Sequence, residues 1–392
     1  MVFRSQSWTL TDVASDVHVE SLSLSNETIR LATPHDWSIR KRTLHGGLRA
    51  GIEVIEVHNG ALSFTVLPTR GMGLWRGSYR GNFLGWNAPV LGPVHPKFVN
   101  VNEFGGIGWL AGFDEWLCRC GLNWNGPPGD DQGKKLTLHG RIANLPAHHV
   151  SVSLKLDDPQ EISVTGQVEE AGLFLTHLRL TTTYTTRLGS HRLIIHDEVE
   201  NCQSSPAELQ LLYHCNVGEP FLEKDSRILC PIREMAPLTK RAAEGIDTYD
   251  RYAAPASGYA EQVYVHDLLA DGNGATLALL HNAAANRGLV LRFNRNELPC
   301  FTVWKNTAAQ EDGYVTGIEP ATNFPNFKSF EREQGRVHVL PAGGKWSATW
   351  AIEIHDSADG VTGVRDEIAK LQATEKPVIH RQPRAGWSIP AV

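Results

Sequence analysis

Short runs of alternating apolar and polar side chains recur along most of this chain of 392 residues. The runs occupy residues 52–68, 148–156, 161–188, 191–201, 275–282, 288–294 and 345–356. Because successive side chains of a β-strand point to opposite faces, a period of two buries one face and leaves the other in water. Turn sequences such as NG at 59–60 and DGNG at 271–274 separate the runs. The sequence therefore predicts an all-β protein built from two large stacked antiparallel sheets.

One segment, residues 359–374, has apolar side chains at helical spacing and follows the last predicted strand. We predict a single sandwich domain over residues 1–375, in which residues 1–45 form an N-terminal extension packed on the sandwich. Residues 376–392 are rich in proline and basic side chains and lack periodicity. They are therefore predicted to form a C-terminal arm or to be disordered.

Glycine, proline, tryptophan and asparagine dominate residues 80–135, which include GNFLGWNAPVLGP and GLNWNGPPGDDQG. A long irregular stretch inside a compact fold is usually a functional loop system. The chain also contains 11 tryptophans. An indole face can stack on the apolar face of a sugar, although most tryptophans are simply part of a core.

The composition argues against several classes of partner. A formal net charge of −6 provides no basic field for phosphate backbones, so no nucleic-acid partner is expected. No apolar run approaches the roughly 20 residues of a membrane-spanning helix, so no membrane association is expected. The six cysteines are scattered without a CxxC pair, and the N-terminus MVFRSQSWTL does not resemble a signal peptide. These features favour a cytoplasmic protein with reduced thiols and a small neutral or polar ligand.

Three titratable side chains lie where predicted strands end beside glycine or proline. His139 lies in TLHGRIANLPA, His214 ends the apolar run of LLYHCNVGEPF, and Glu319 lies in GIEPATNFPNF. Each has an ordinary structural explanation, because a lone histidine is more often structural and a strand-end glutamate is more often solvated. If the three meet at one end of the sandwich, they provide a carboxylate and two imidazoles for acid–base chemistry.

The segments that hold these residues resemble, in the same order, the signature segments of the aldose 1-epimerase (galactose mutarotase) superfamily. They are LHGR at 138–141, LLYHCNVG at 211–218 and GIEPATNFPNF at 317–327, and FTVLPTRGMGL at 64–74 is similar to the early strand of that family. The resemblance covers roughly residues 50–355. Arg141 replaces the second glycine of an HGG-type segment, and Tyr213 replaces the asparagine that usually precedes the second histidine. The chain therefore resembles a divergent, uncharacterised branch.

The resemblance implies a β-supersandwich fold with a short C-terminal helix, and the interconversion of sugar anomers. Ring opening needs a base for the C1 hydroxyl proton and an acid for the ring oxygen, and the roles reverse on closure. By resemblance Glu319 is the base, His214 is the acid, and His139 hydrogen-bonds the ring oxygen or an adjacent hydroxyl. No metal or other cofactor is needed. A second LHGG at 44–47 precedes the first core strand, so His45 is interpreted as structural.

Six further residues are candidates for binding a carbohydrate substrate: Arg70, Asp114, Arg141, Trp304, Lys305 and Asn326. A guanidinium offers a fixed fork of donors to hydroxyl or carboxylate groups, and Trp304 could form a stacking wall. The two arginines and the lysine raise the hypothesis of an acidic sugar, such as a uronate, sulfonate or phosphate. Each charged side chain could equally form a structural ion pair.

Other functions stay open from the sequence. The fold could bind a carbohydrate without turnover, or the same pocket could carry another sugar isomerisation, an epimerisation at another carbon or a step in uronate breakdown. Metal binding is not expected, because the adjacent His148 and His149 point to opposite faces of a strand and no HExxH spacing occurs. The N-terminal strands and the C-terminal tail could reach a neighbouring chain and form a homo-oligomer.

Overall fold

A computed structural model describes residues 4–389 of the chain. Its strands form a 10-stranded sheet (sheet A), a 13-stranded sheet (sheet B) and two 2-stranded ribbons. In chain order the first strands are β1 (Ser5–Asp12), β2 (Val17–His18), β3 (Leu22–Ser25), β4 (Ser38–Thr43), β5 (Glu53–His58), β6 (Leu62–Leu67), β7 (Gly73–Tyr79), β8 (Asn82–Leu84), β9 (Leu117–Cys120), β10 (Gly129–Asp131), β11 (Lys134–Leu136), β12 (His149–Lys155), β13 (Glu161–Glu170) and β14 (Leu178–Arg187). The others are β15 (Arg192–Asn201), β16 (Ala207–Leu209), β17 (Leu212–Val217), β18 (Arg227–Leu229), β19 (Ile232–Pro237), β20 (Gln262–Leu268), β21 (Ala275–His281), β22 (Gly288–Asn294), β23 (Cys300–Asn306), β24 (Val315–Ala321), β25 (His338–Leu340), β26 (Lys345–His355) and β27 (Val378–Ile379).

The strand order in sheet A is β18-β21-β22-β26-β15-β14-β13-β12-β1-β2. In sheet B it is β27-β19-β20-β23-β24-β17-β9-β7-β6-β5-β4-β3, and β8 pairs with β7 off this path. Neighbouring strands run antiparallel throughout residues 4–389, except that β27 runs parallel to β19. The prediction of an all-β protein with two large antiparallel sheets is confirmed.

The alternation in the sequence corresponds directly to burial. In β13 and β14 every second side chain is buried, and Val164 and Leu180 belong to the same hydrophobic cluster as Trp116 and Tyr213 from the sheet B side. One face of each sheet therefore packs against the other sheet. Burial of apolar area at roughly 25 cal/mol per Å² is the main term that stabilises such a core.

A buried ion pair crosses this core. Arg119 of β9 donates to both carboxylate oxygens of Asp197 of β15, with Nε–Oδ2 at 2.5 Å and Nη2–Oδ1 at 2.8 Å. Thr182, Tyr184 and Tyr213 complete the hydrogen bonding of the two groups. Both charged side chains are inaccessible to solvent, so each depends on the other for its compensation.

The described residues include five α-helices. They are α1 (Asn26–Ile29), α2 (Glu103–Gly106), α3 (Lys240–Glu244), α4 (Lys328–Glu333) and α5 (Ala358–Gln372). The long helix α5 matches the helix predicted over 359–374, and it packs Val361, Val364 and Ile368 against β21 and β22. Within residues 4–389, no helix has the length and apolarity needed to cross a membrane.

The two ends of the chain are part of the sheets. Strand β1 pairs with β12 in sheet A, and β3 and β4 extend sheet B beyond β5. The predicted extension over residues 1–45 therefore contributes hydrogen-bonded strands and is not merely packed on the sandwich. Within the predicted arm over 376–392, β27 adds to β19 and Arg381 pairs with Asp247. Residues 390–392 of that arm, like residues 1–3, lie outside the described residues.

Candidate active site

The central strands of sheet B bring the first two predicted residues together. The pairing of Cys215 with Ile318 places His214 of β17 beside Glu319 of β24, and residues at such positions share one face of a sheet. The His214 Nε2 and Glu319 Oε1 atoms are 3.2 Å apart. Both residues lie inside their strands, which corrects the expectation that they end them. They meet through strand register on the face of sheet B that points away from sheet A.

His139 reaches the same place from a loop. It adopts a left-handed backbone conformation, with φ of 59°, before the turn at Gly140. Its Nδ1–H donates to the Asn125 carbonyl at 2.8 Å, because a carbonyl can only accept. The ring centroid of His139 lies 5.6 Å from that of His214. The structure therefore brings all three predicted titratable residues to one location.

The three side chains line a cavity of about 550 Å³. Its lining residues are Ile107, Trp109, Leu110, Phe113, Pro127, Pro128, Leu138, His139, His214, Leu238, Thr239, Glu261, Val263, Trp304, Glu319, Pro325, Asn326 and Ile389. Six of them belong to residues 80–135, the stretch predicted to be a functional loop system. Aromatic rings stand next to the histidines: Phe113 and Trp304 have centroids 5.1 Å and 5.4 Å from His214. The cavity thus combines stacking surfaces with a small titratable cluster, as is usual for small-molecule sites.

Hydrogen bonds fix the tautomer of His214. The Asn216 amide donates from Nδ2 to the Glu115 carbonyl at 2.9 Å, so its Oδ1 faces His214 Nδ1 at 2.6 Å and must accept the proton of that nitrogen. Burial, together with the nearby charge of His139, lowers the pKa of His214 to about 3. His214 is therefore neutral near pH 7 and directs a lone pair on Nε2 toward Glu319.

The pKa of His139 is shifted in the opposite direction to that of His214. Burial opposes its charge, but the negative charge of the neighbouring Cys120 thiolate, its hydrogen bond to His139 and the Asn125 carbonyl outweigh burial and raise the pKa of His139 to about 9. Burial raises the pKa of Glu319 well above its usual range, and the charge of His139 counteracts part of that rise. The site holds one imidazolium, one neutral imidazole and one carboxyl group with increased basicity, a combination suited to proton transfer.

The Glu319 carboxylate can accept a further hydrogen bond, and it is closely packed against its neighbours on the sheet. Within the described part of the chain, its Oε1 atom is buried without a hydrogen-bond partner. Gly317, two residues earlier on the same face, leaves the space that the carboxylate occupies. A Cβ at Gly317 would lie 2.3 Å from Glu319 Oε1 and 2.9 Å from His214 Cε1. An unpaired oxygen at the wall of a cavity is what a substrate hydroxyl would complete.

Two of the six predicted binding residues line the cavity. Trp304 donates from Nε1 to Glu261 Oε2 at 2.5 Å, which fixes the indole as a wall. Asn326 donates from Nδ2 to Glu331 Oε1 at 2.7 Å and to the Trp387 carbonyl at 2.9 Å. Its Oδ1 can accept a hydrogen bond from a ligand.

Arg70 lies outside the cavity, which corrects its prediction as a binding residue. Its guanidinium is 1% exposed and forms an ion pair with Glu115, with Nε–Oε1 at 2.7 Å. Its other nitrogens donate to the carbonyls of Val94 and Gly112 and to Asn144. All of its donors serve the loops that cover sheet B, so none remains for a sugar.

Lys305 also requires correction. It follows Trp304 in β23, so it points to the opposite face of sheet B, toward the core. Its Nζ donates to three carbonyls, those of Thr248, Tyr249 and Arg251. Burial lowers the pKa of Lys305 to about 8. The lysine holds residues 248–251 against the sheet and does not contact the cavity.

Asp114 and Arg141 are likewise absent from the cavity lining among the described residues. Asp114 accepts from Trp75 Nε1 at 3.0 Å, and burial together with the neighbouring Glu115 raises the pKa of Asp114 to about 8. The positive charge of Arg141 acts on the buried Glu170 carboxyl. With Arg70 and Lys305 also outside, the hypothesis of an acidic sugar loses the three cations that supported it.

Several lining or supporting residues were not predicted. Asn216 and Cys120 act on the two histidines, Glu261 holds Trp304, and Ile389 of the C-terminal arm closes one side of the cavity. Asn216 lies within the quoted LLYHCNVG segment, two residues after His214 and therefore on the same face of the strand. That spacing was a usable signal, whereas Glu261 and Ile389 meet the site only through tertiary packing.

Outside the cavity, His191, Glu353 and His355 bring three potential ligand atoms within 4.8 Å of one another. Glu353 is already paired with Arg292, with Oε2–Nε at 2.6 Å, and with Arg192, with Oε1–Nη1 at 3.3 Å. A metal ion would have to compete with both guanidinium groups. All six cysteines are free.

Comparison with known proteins places the chain among relatives. The family described as "Domain of unknown function (DUF4432)" matches residues 49–354. A crystal structure from Klebsiella pneumoniae subsp. pneumoniae, described as a "putative aldose 1-epimerase", is 34% identical, with a TM-score of 0.95 over 97% of this chain and 100% of that chain. The chain belongs to the DUF4432 family, and its fold is mutarotase-like. No curated protein matches it.

More distant solved structures share the fold. A galactose mutarotase-like protein from Clostridium acetobutylicum is 18% identical, with a TM-score of 0.53 over 78% of this chain and 96% of that chain. A galactose mutarotase related enzyme from Lactobacillus acidophilus is 12% identical, with a TM-score of 0.52 over 78% and 98%. The chain thus shares its fold with galactose mutarotase-like proteins, as the sequence predicted.

Proposed function

We propose that the protein is a carbohydrate mutarotase that interconverts sugar anomers by acid–base ring opening. The observation that carries this proposal is the convergence of Glu319, His214 and His139 at the wall of one cavity. The likeness to a structure described as a "putative aldose 1-epimerase" supports the reaction class. Trp304 and Phe113 provide aromatic faces on which the C–H face of a sugar ring can stack.

Glu319 is the base in this proposal. Its Oε1 has no partner within residues 4–389, and a raised pKa makes a carboxylate a stronger base. It removes the proton from the C1 hydroxyl, and the oxygen then forms a carbonyl with C1. The bond between C1 and the ring oxygen breaks, and its electron pair passes to the ring oxygen. The open-chain aldehyde rotates about C1–C2 before the reverse steps close the ring on the other face.

His139 is the acid, in place of His214. A proton donor must carry its proton at working pH, and the pKa values of about 9 for His139 and about 3 for His214 favour the former. The Nε2–H of the His139 cation protonates the ring oxygen, while its Nδ1–H stays bound to Asn125. His214 is then a neutral acceptor at 3.2 Å from Glu319, able to receive a hydrogen bond from that carboxyl once it is protonated.

Proton NMR in D2O on a panel of neutral hexoses, pentoses and 6-deoxyhexoses tests the proposed reaction. We expect exchange between the two anomeric signals of at least one sugar to accelerate with protein, without deuterium entering any C–H position. Isomerisation or epimerisation at another carbon by acid–base chemistry passes through an enediol, loses a carbon-bound proton and would introduce deuterium. Deuterium incorporation, or exchange that no sugar shows above the protein-free rate, contradicts the proposal.

A further inference from the structure

The cavity has a polar floor and an apolar rim. Glu319 and His214 at the floor are only 3% and 5% exposed. Ile107 and Leu110, which line the same cavity, are 40% and 48% exposed and therefore stand at its mouth. Resting on the proposed function, we propose that the substrate is an uncharged sugar with an apolar substituent remote from its anomeric carbon, and that this rim binds the substituent.

The rim is built from three separate segments. Ile107 and Leu110 come from the loops that cover sheet B, Leu238 follows β19, and Ile389 belongs to the C-terminal arm. The arm is anchored at this position, because the Asn326 amide donates to the Trp387 carbonyl and the Trp387 ring packs on Phe324 at 5.2 Å between centroids. Arg336 also donates to the Gly386 carbonyl at 2.8 Å. A fixed aliphatic wall is therefore part of the site.

A sugar without an apolar substituent would be poorly complementary to this aliphatic wall. The polar side chains in the lining are His139, Thr239, Glu261, Asn326 and the pair at the floor. A hydroxyl pressed against the aliphatic rim would lose its bonds to water, which costs roughly tenfold or more in affinity. Each methylene buried there instead contributes about fourfold. The volume of about 550 Å³ lies within the ~300–1,000 Å³ typical of sites for drug-sized ligands, so it leaves room for a substituent on the sugar.

The charges of the lining favour an uncharged substituent. Two carboxyl groups, those of Glu261 and Glu319, face the cavity, and in the described part of the chain neither lysine nor arginine lines it. An anionic group would meet both carboxyl groups, and the only cation that lines the cavity among the described residues is His139, which is assigned to the ring oxygen. A cationic group could pair only with Glu261, which is exposed to water and already accepts from Trp304 Nε1, so that ion pair would contribute little to binding.

The test compares an aldose that the protein anomerises with its hexyl ethers at the 4-hydroxyl and, where the sugar has one, at the 6-hydroxyl, which keep the anomeric hydroxyl free. We expect at least one ether to show a kcat/KM tenfold or more above that of the parent sugar. Leu110→Ser should remove most of this preference. Leu91→Ser, at a leucine that is 88% exposed and outside the cavity lining, should leave it intact. Equal kcat/KM for parent and ethers, or equal effects of the two variants, overturns the inference.

Calorimetric titration of the ethers into Glu319→Gln separates this inference from the proposed function. One outcome is that no sugar is anomerised, but an ether binds tenfold more tightly than its parent and Leu110→Ser weakens the binding of that ether. This outcome refutes the mutarotase proposal and supports the binding of an apolar substituent at the rim. If sugars are anomerised but the ethers bind no more tightly than their parent sugars, the inference about the rim is refuted and the mutarotase proposal is supported.

Discussion

Replacement of Gly317 by alanine should damage catalysis while preserving the fold. The added Cβ would lie 2.3 Å from Glu319 Oε1, where ordinary contact begins at 3.4 Å, so the carboxylate must move by about 1 Å. The backbone of Gly317 does not adopt a positive φ, so alanine is accommodated there without backbone strain. A misplacement of about 1 Å in a reacting group costs about 10²-fold in rate. We expect kcat to fall by that factor, with a smaller change in KM.

The assay is anomer exchange measured by NMR, together with thermal unfolding to verify that the variant folds. Gly363→Ala is the matched control, because its Cβ would meet nothing within 4 Å and it lies in α5, far along the chain from the site. Alanine in a helix is favoured over glycine by up to about 1 kcal/mol, so the control should be at least as stable as the wild type. A folded Gly317→Ala protein with kcat within threefold of the wild type would refute the proposed position of Glu319 as the base.

Four further results are expected. The pH profile of kcat/KM should be bell-shaped: it rises where Glu319 loses its proton, above the usual carboxylic range because its pKa is raised, and falls where His139 loses its proton near pH 9. His139→Gln should remove the alkaline limb. Asp197→Asn should lower the free energy of unfolding by about 3–5 kcal/mol in urea titration, since it leaves the buried Arg119 uncompensated. A hexuronate should bind at least tenfold more weakly than its parent hexose in calorimetry, because carboxylates face the cavity without lysine or arginine among the described lining residues.

The sheets could be predicted from the sequence because burial on one face is a local property. The alternation in β13 and β14 marks their buried side chains whatever their partners are. The motif segments also identified His214 and Glu319, although both lie inside strands and not at their ends. Their meeting depends on register between β17 and β24, which is set by pairing across more than a hundred residues.

The incorrect predictions concern charged residues whose partners are distant in the sequence. Arg70 and Lys305 were predicted to bind substrate because the sequence shows that their side chains donate hydrogen bonds, but it does not show which groups accept those bonds in the folded protein. Glu115 and the carbonyls of residues 248–251 occupy those donors, and both partnerships are tertiary. Ile389 was missed for the same reason, since its tail has no periodicity and its place at the cavity comes from the contacts of Trp387.

The rate of anomer exchange in Glu319→Gln, relative to the wild type on the same sugar, tests the central claim most directly. The substitution keeps the shape of the side chain and removes the basic oxygen. General base catalysis contributes roughly 10² to 10⁴ in rate, so we expect a loss of that size with a retained melting temperature. A folded Glu319→Gln protein that anomerises the sugar within twofold of the wild-type rate would contradict the account.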